Sequence, residues 1–169
     1  MSKEVMKKWL FAGRGKKISV VRATQERTGV LYSEYGYITS PANVLKTFGS
    51  LFEHAGVEYV LAVAVTKQAE PVAIQIVGIG GLDFASVSIP DILRFVLLSN
   101  CNDLILVHNH PSGNPEASLA DTLITEKLER ACGLLDMKLL DHVIVGGNGT
   151  GYSCKQEQMI DTEDLQKGA

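Results

Sequence analysis

Val107-His108-Asn109-His110-Pro111-Ser112-Gly113-Asn114-Pro115-Glu116-Ala117-Ser118-Leu119-Ala120-Asp121 begins where the apolar run Leu104 to Val107 ends. A short apolar run without alternation is the pattern of a strand buried on both faces of a layered α/β sheet. Two of the chain's four histidines sit two residues apart at the end of that run. Side chains two apart on a strand share a face, so His108 and His110 point together and Asn109 points away. At a rise of about 3.3 Å per residue their α-carbons lie roughly 6.5–7 Å apart, close enough for two imidazoles to converge on one ion. The Pro111–Pro115 loop turns the chain back, and Asp121 falls in the first turn of the helix that follows. Two nitrogens and one oxygen leave the fourth tetrahedral position of zinc to water, the catalytic rather than the structural pattern. Zinc in such a site lowers the pKa of its water towards about 7 and polarises a substrate carbonyl.

Plainer readings exist for each part. Ser118-x-x-Asp121 is a helix N-cap with an acid three residues on, and capping alone would account for both residues. His-x-His taken alone can be two polar side chains at a loop mouth. The conjunction is harder to explain away, because the cap follows the second histidine by eight residues at the end of a buried strand.

The rest of the chain reads as alternating helices and strands. Ile18 to Arg22 and Gly29 to Tyr32 are short candidate strands. Ser40-Pro41 opens a helix, with a serine N-cap and proline at the first position, carrying Val44, Leu45, Phe48, Leu51 and Phe52 and stopping at Gly56. Glu58 to Val65 and Val72 to Ile79 are strand-like runs around the polar stretch Thr66 to Pro71. Ser88-Ile89-Pro90-Asp91 resembles a capping box opening a helix through Leu98. Ser118 to Leu135 is a helix with Leu123, Ile124, Leu128, Ala131 and Leu135 on one face. Met137 to Val145 is a strand, and Gly146-Gly147-Asn148-Gly149 a turn into a last short strand near Tyr152. This alternation predicts a three-layer α/β sandwich with a mixed sheet. The division expected is a basic segment over 1–37, with short strands packing on the domain, and the domain itself over 38–169.

At 169 residues, 46% hydrophobic and 21% charged, the composition is that of one globular domain. No apolar run reaches the roughly 18 residues of a membrane span, and no signal-peptide core opens the chain. Cys101, Cys132 and Cys154 form no C-x-x-C pair and no disulfide framework, which makes a reducing cytoplasm the simplest home. The net charge of −3 hides an asymmetry: residues 1–27 hold eight basic residues against Glu4 and Glu26. A basic arm of this kind is either a solvated segment or a weak phosphate contact, and Trp9 and Phe11 in it pack on the domain or on a partner.

His-x-His, then Pro-Ser-Gly, then Ser-x-x-Asp is similar to the pattern of the JAB/JAMM (MPN) zinc metalloproteins. The string His108 to Pro115, with Asp141-His142-Val143-Ile144-Val145-Gly146 downstream, resembles its RadC-like branch. The resemblance spans residues 38–155 and implies a cytidine-deaminase-like α/β fold. It implies zinc ligation by His108, His110 and Asp121, and a Ser118 hydroxyl aimed at the oxyanion of amide hydrolysis. The family also uses a glutamate on an upstream strand as general acid/base. Alignment without gaps puts its place at Gln75, and an amide cannot accept the proton of a metal-held water. Glu70 and Glu116 are the acids weighed as substitutes, with a surface role for each as the alternative, and Asp83 is the nearest acid on the other side. For His142 the expectation is a ring satisfied by a neighbouring carboxylate or carbonyl, with direct metal ligation or support of a metal ligand as the alternatives.

Three functions are therefore in view. The first is a zinc-dependent metallopeptidase acting on an amide or isopeptide bond, with catalytic residues Ser118 and Gln75. The second is a zinc-binding interaction module, weakly active or inactive because of Gln75. The third is a DNA-repair-associated accessory protein using its basic arm. A homodimer is compatible with each.

Overall fold

The strand that carries the two histidines lies in the middle of the sheet. In the computed structural model, which describes residues 21–80 and 87–162, all seven residues of this strand, Asp103–Asn109, are buried. It is called β3 because β1 (Tyr59–Val65) and β2 (Pro71–Ile79) precede it, and β4 (Lys138–Val145), β5 (Thr150–Ser153) and β6 (Gln158–Asp161) follow. The six strands run in the order β2-β1-β3-β4-β5-β6. Only the β3–β4 pair is parallel, so the sheet is mixed. The parallel pair needs a crossover, which α3 (Leu119–Gly133) supplies.

Each face of β3 has its own apolar layer. Leu104 and Leu106 share one face with Val60, Ala62 and Ala64 of β1, packed under Ile92, Phe95 and Val96 of α2 (Ile89–Leu98) and Leu128 and Cys132 of α3. Ile105 and Val107 share the other with Leu61 and Val63, covered by Val44, Leu45 and Phe48 of α1 (Pro41–Phe48). Helix, sheet and helices make the expected three-layer α/β sandwich.

The local signals behaved unevenly. Ser40 caps α1, its side chain accepting from the Asn43 N–H at 3.2 Å, but the helix tightens into a 3-10 turn at Gly49–Phe52 and leaves Leu51 exposed. Ser88 makes no side-chain cap bond to α2. In α3 the buried stripe is Asp121, Thr125, Leu128 and Cys132; of the apolar face read from the sequence Leu128 is buried and Ile124 and Ala131 half-buried, while Leu123, and Leu135 just past the helix, are exposed. Polar groups win the inner face because they have partners there, described below. Residues 29–32 are irregular rather than a strand, with Val30 and Tyr32 exposed, and they pair with no strand among the described residues. β6 had no counterpart in the sequence reading. The candidate strand at 18–22 lies mostly outside the described residues, as do Trp9, Phe11, Asp83 and most of the basic arm. Among the described residues no helix is long and apolar enough to cross a membrane.

Candidate metal centre

His108 ends the apolar face of β3 that α2 and α3 cover, two residues beyond Leu106. Its ring is 2% exposed. His110 follows just past the strand, held there by its own N–H donating to the Val145 carbonyl at 3.1 Å. Its Nδ1 lies 2.8 Å from the Asn114 carbonyl oxygen. A carbonyl only accepts, so Nδ1 carries a proton and Nε2 is left for the site. Gly113, at φ +78, lets the intervening loop turn back to supply that carbonyl.

Asp121 arrives from the first turn of α3, and the cap that delivers it is the one the sequence suggested. The Asp121 N–H donates to Ser118 Oγ at 3.2 Å. The Ser118 N–H and hydroxyl donate in return to Asp121 Oδ2, at 2.8 and 2.5 Å. The carboxylate is thus fixed by the cap and still faces the imidazoles, with Oδ1 3.2 Å from His108 Nε2 and Oδ2 3.5 Å from His110 Nε2. Capping and membership of the cluster are one geometry, not alternatives.

The acid that joins them is Glu58, with Oε1 3.6 Å from His108 Nε2. Glu58, His108, His110 and Asp121 each offer a ligand atom, all within 4.8 Å of one another. Glu58 sits just before β1. The antiparallel register pairs Val60 with His108, and continuing it sets Glu58 opposite His110, on the same face. Gln75, where an ungapped alignment places the family acid, is instead on the edge strand β2, opposite Ala62, exposed and outside the pocket. The expectation of a site without an acid is corrected accordingly. Glu70 and Glu116 are exposed and do not line the pocket either. The signal that would have found Glu58 is the register itself, one residue before an apolar strand that pairs with the His-x-His strand.

Asn109, between the two histidines, points to the other side and is 3% exposed. Its amide oxygen accepts from the Tyr59 N–H at 2.8 Å, and its NH2 donates to the Val57 carbonyl at 3.1 Å.

His142 of β4 completes the cluster from beneath. The partner expected for it was a neighbouring carboxylate or carbonyl. Its ring instead lies against His108, Nε2 to Nδ1 at 2.8 Å, and against the Thr125 hydroxyl, Nδ1 to Oγ1 at 2.6 Å. The Asp141 carboxylate is occupied elsewhere, by the His142 and Lys155 backbone N–H groups and the Ser153 hydroxyl.

Electrostatics follow the geometry. Burial alone would raise the Asp121 carboxyl, but hydrogen bonds from His108 and His110, the charge on His108 and the Ser118 hydroxyl outweigh it and hold the group well below the usual range. The hydrogen bond to Asp121 raises His110, against its partial burial. Complete burial, with the charge on His108, pushes His142 well below an ordinary histidine. Burial lifts the Cys101 thiol too, as suits a small core residue.

The donor spacing fits a four-coordinate ion. Ligand atoms about 2.0–2.1 Å from a tetrahedral zinc lie roughly 3.3 Å apart. Here the two Nε2 atoms are 3.0 Å apart, and the nearest nitrogen–oxygen separations are 3.2 and 3.5 Å. Nitrogen and carboxylate donors together suit zinc and other divalent first-row metals. A pocket of about 360 Å³ opens over the cluster, lined also by Val60, Val87, Ser118 and Ile124.

Comparison with known proteins finds a family match over the residues that carry the cluster. The family model described as RadC-like JAB domain matches residues 38–159. A UPF0758 protein of Caldanaerobacter subterraneus subsp. tengcongensis is 32% identical over 126 residues, covering 75% of this chain and 54% of that protein. Another, from Coprothermobacter proteolyticus, is 34% identical over 131 residues, 75% of this chain and 55% of the relative. A third, from Psychrobacter cryohalolentis, reaches 46% identity over 71 residues, 42% of this chain and 31% of the relative. The chain spans about half the length of the first two.

Proposed function

Because the chain belongs to the RadC-like JAB domain family, we propose that it is a zinc-dependent hydrolase of peptide or isopeptide bonds. One observation carries the reading: two imidazole nitrogens and two carboxylates converge within 4.8 Å at the floor of an open pocket. His108 and His110, each through Nε2, and Asp121 would hold the ion, leaving Glu58 free to act on a proton. When bound, zinc supplies a Lewis acid for the scissile carbonyl and makes water a nucleophile near neutral pH.

The chain's own groups do the rest. Glu58 takes a proton from the attacking water as its oxygen bonds to the carbonyl carbon. The Ser118 hydroxyl, which donates to Asp121 Oδ2 in the structure, would turn from that carboxylate to donate to the oxygen that becomes negative. Glu58 then returns the proton to the departing nitrogen as the carbon–nitrogen bond breaks, leaving an acid and an amine. The interaction-module reading rested on a missing acid, and Glu58 at the cluster removes that motive.

The test is metal content together with turnover. The purified chain should hold about one zinc, lost in His108→Ala, and should cleave members of a peptide and isopeptide library in a zinc-dependent way. A folded chain that takes up no zinc from zinc-replete buffer would refute the reading. Full zinc occupancy with no cleavage of any substrate class would return it to a binding role.

A further inference from the structure

We propose that the pocket beside the cluster is a subsite for one aliphatic side chain of the substrate, carried by the residue whose carbonyl is attacked. The proposal deepens the hydrolase reading above and rests on it for the identity of the occupant.

The pocket is larger than the chemistry at the cluster requires. Its volume is about 360 Å³, whereas a water molecule takes about 30 Å³ of liquid. One ion and one water leave most of that space open.

Among the described residues, the lining divides into two ends. Glu58, His108, His110, Ser118 and Asp121 gather at one, and Val60, Val87, Leu106 and Ile124 line the other. Strand and helix periodicity produce the division. Val60 follows Glu58 by two residues and Leu106 precedes His108 by two, both on the face that carries the cluster. Each lies one strand repeat, roughly 6.5–7 Å, inward of its polar neighbour. Ile124 follows Asp121 by three residues on the same side of α3. Val87, just before α2, packs against the same core layer as Val60 and Leu106. Val60 and Leu106 are buried and make a floor. Val87 and Ile124 are half-buried and make walls. His142 also lines the pocket, at the depth of Leu106, but its ring nitrogens already bond His108 and Thr125.

That lining selects by polarity. A charged or amide side chain entering the apolar end would lose water and find no partner. An aliphatic side chain gains by leaving water. Glycine would leave the walls wet. The carbon under attack also fixes which substrate residue is read. Of its four substituents, the attacking oxygen belongs over the cluster, the carbonyl oxygen faces Ser118, and the departing nitrogen must reach Glu58. The remaining one is the α-carbon of the residue that supplies the carbonyl, one bond of about 1.5 Å away. It is left facing the apolar end, and its side chain enters there.

The experiment takes a library peptide cleaved by the zinc-loaded full chain and rebuilds it with glycine, leucine, aspartate or lysine at that residue. In kcat/KM, leucine should exceed glycine about 10–200-fold, the scale on which an apolar pocket reads aliphatic bulk. Aspartate and lysine should fall below glycine. Ile124→Phe fills the gap and should cut the leucine-to-glycine ratio about 10-fold or more. A readout without turnover is a methyl-resolved titration of the zinc-free chain. N-acetyl-leucinamide should shift the Val87 and Ile124 methyl signals, and N-acetyl-glycinamide should leave them in place. Equal or better cleavage with glycine overturns the proposal, as does an unchanged ratio in a folded Ile124→Phe chain or a leucinamide titration that moves neither methyl. If Ile124→Phe fails to fold, the wild-type series and the titration still decide. Leucinamide shifts in a chain that cleaves no peptide would sink the hydrolase reading and leave the aliphatic subsite standing. Zinc-dependent cleavage that favours glycine would do the reverse.

Discussion

Asn109 grips the backbone on both sides of Glu58. The β1–β3 ladder ends at the Val60–His108 pair, and beyond it the Asn109 amide takes over, bonding the Tyr59 N–H and the Val57 carbonyl. The residue between the two histidines thus holds the acid that joins them, from the opposite face of the sheet. Asn109→Ala leaves those two backbone groups unpaired and should cost about 1–3 kcal/mol in urea denaturation. It should also lower turnover, and a double-mutant cycle should show that loss vanish in a Glu58→Ala background. Equal loss in both backgrounds would mean that Asn109 acts on the fold alone.

Glu58 and Gln75 make opposite predictions. Glu58→Gln should keep zinc and lower turnover about 10²–10⁴-fold, the usual worth of a general acid/base. Gln75→Ala, on the exposed edge strand, should leave both unchanged. A turnover loss confined to Gln75→Ala would reverse the assignment.

Ser118 has two duties that substitution can separate. As an N-cap it should cost about 1 kcal/mol when changed to Ala and only a few tenths when changed to Gly. As a donor to the developing oxyanion it should cost turnover about 10²–10³-fold in both. Turnover that follows stability across the two variants would reduce Ser118 to its cap.

Asp141 sets a pH dependence of stability away from the cluster. Burial raises its carboxyl above the ordinary value of 3.8, despite the bonds from Ser153, Lys155 and His142. The folded state therefore holds this proton more tightly than the unfolded chain. The stabilisation is complete below 3.8 and is lost as pH rises through the folded-state value. Urea midpoints between pH 3 and 7 should show wild type losing stability relative to Asp141→Asn as pH rises through that window. A difference that grows with pH would contradict the assignment.

Gly146 leaves no room for a side chain. A β-carbon there would lie 2.8 Å from Pro115 Cδ and 2.9 Å from the Gly113 carbonyl oxygen. Gly146→Ala should cost about 1–3 kcal/mol through overpacking and weaken zinc, because the displaced loop carries the Asn114 carbonyl that orients His110. Unchanged zinc affinity in a destabilised variant would separate the loop from the site.

What the sequence disclosed tracks how local each signal is. His108, His110 and Asp121 were legible because strand alternation and a helix cap are properties of a few neighbouring residues. The sandwich was legible from the alternation of elements. Glu58 was not, because its place depends on which strand lies beside β3, a fact fifty residues distant that an ungapped alignment passed over. The buried stripe of α3 was misread because apolar spacing alone favoured Leu123 and Leu135, while Asp121 and Thr125 gain partners only once the sheet is assembled. Residues 29–32 had strand-like composition but pair with no strand among the described residues.

The four candidate donors come from three segments that adjoin only when the sheet has formed: the turn before β1, the end of β3 and the start of α3. An unfolded chain holds no such set, so occupancy doubles as a gauge of foldedness. An ion that binds only the native state adds about 2.7 kcal/mol at a hundred times its dissociation constant. The melting temperature should therefore climb with the logarithm of free zinc, and chelation should act on this chain as a mild denaturant.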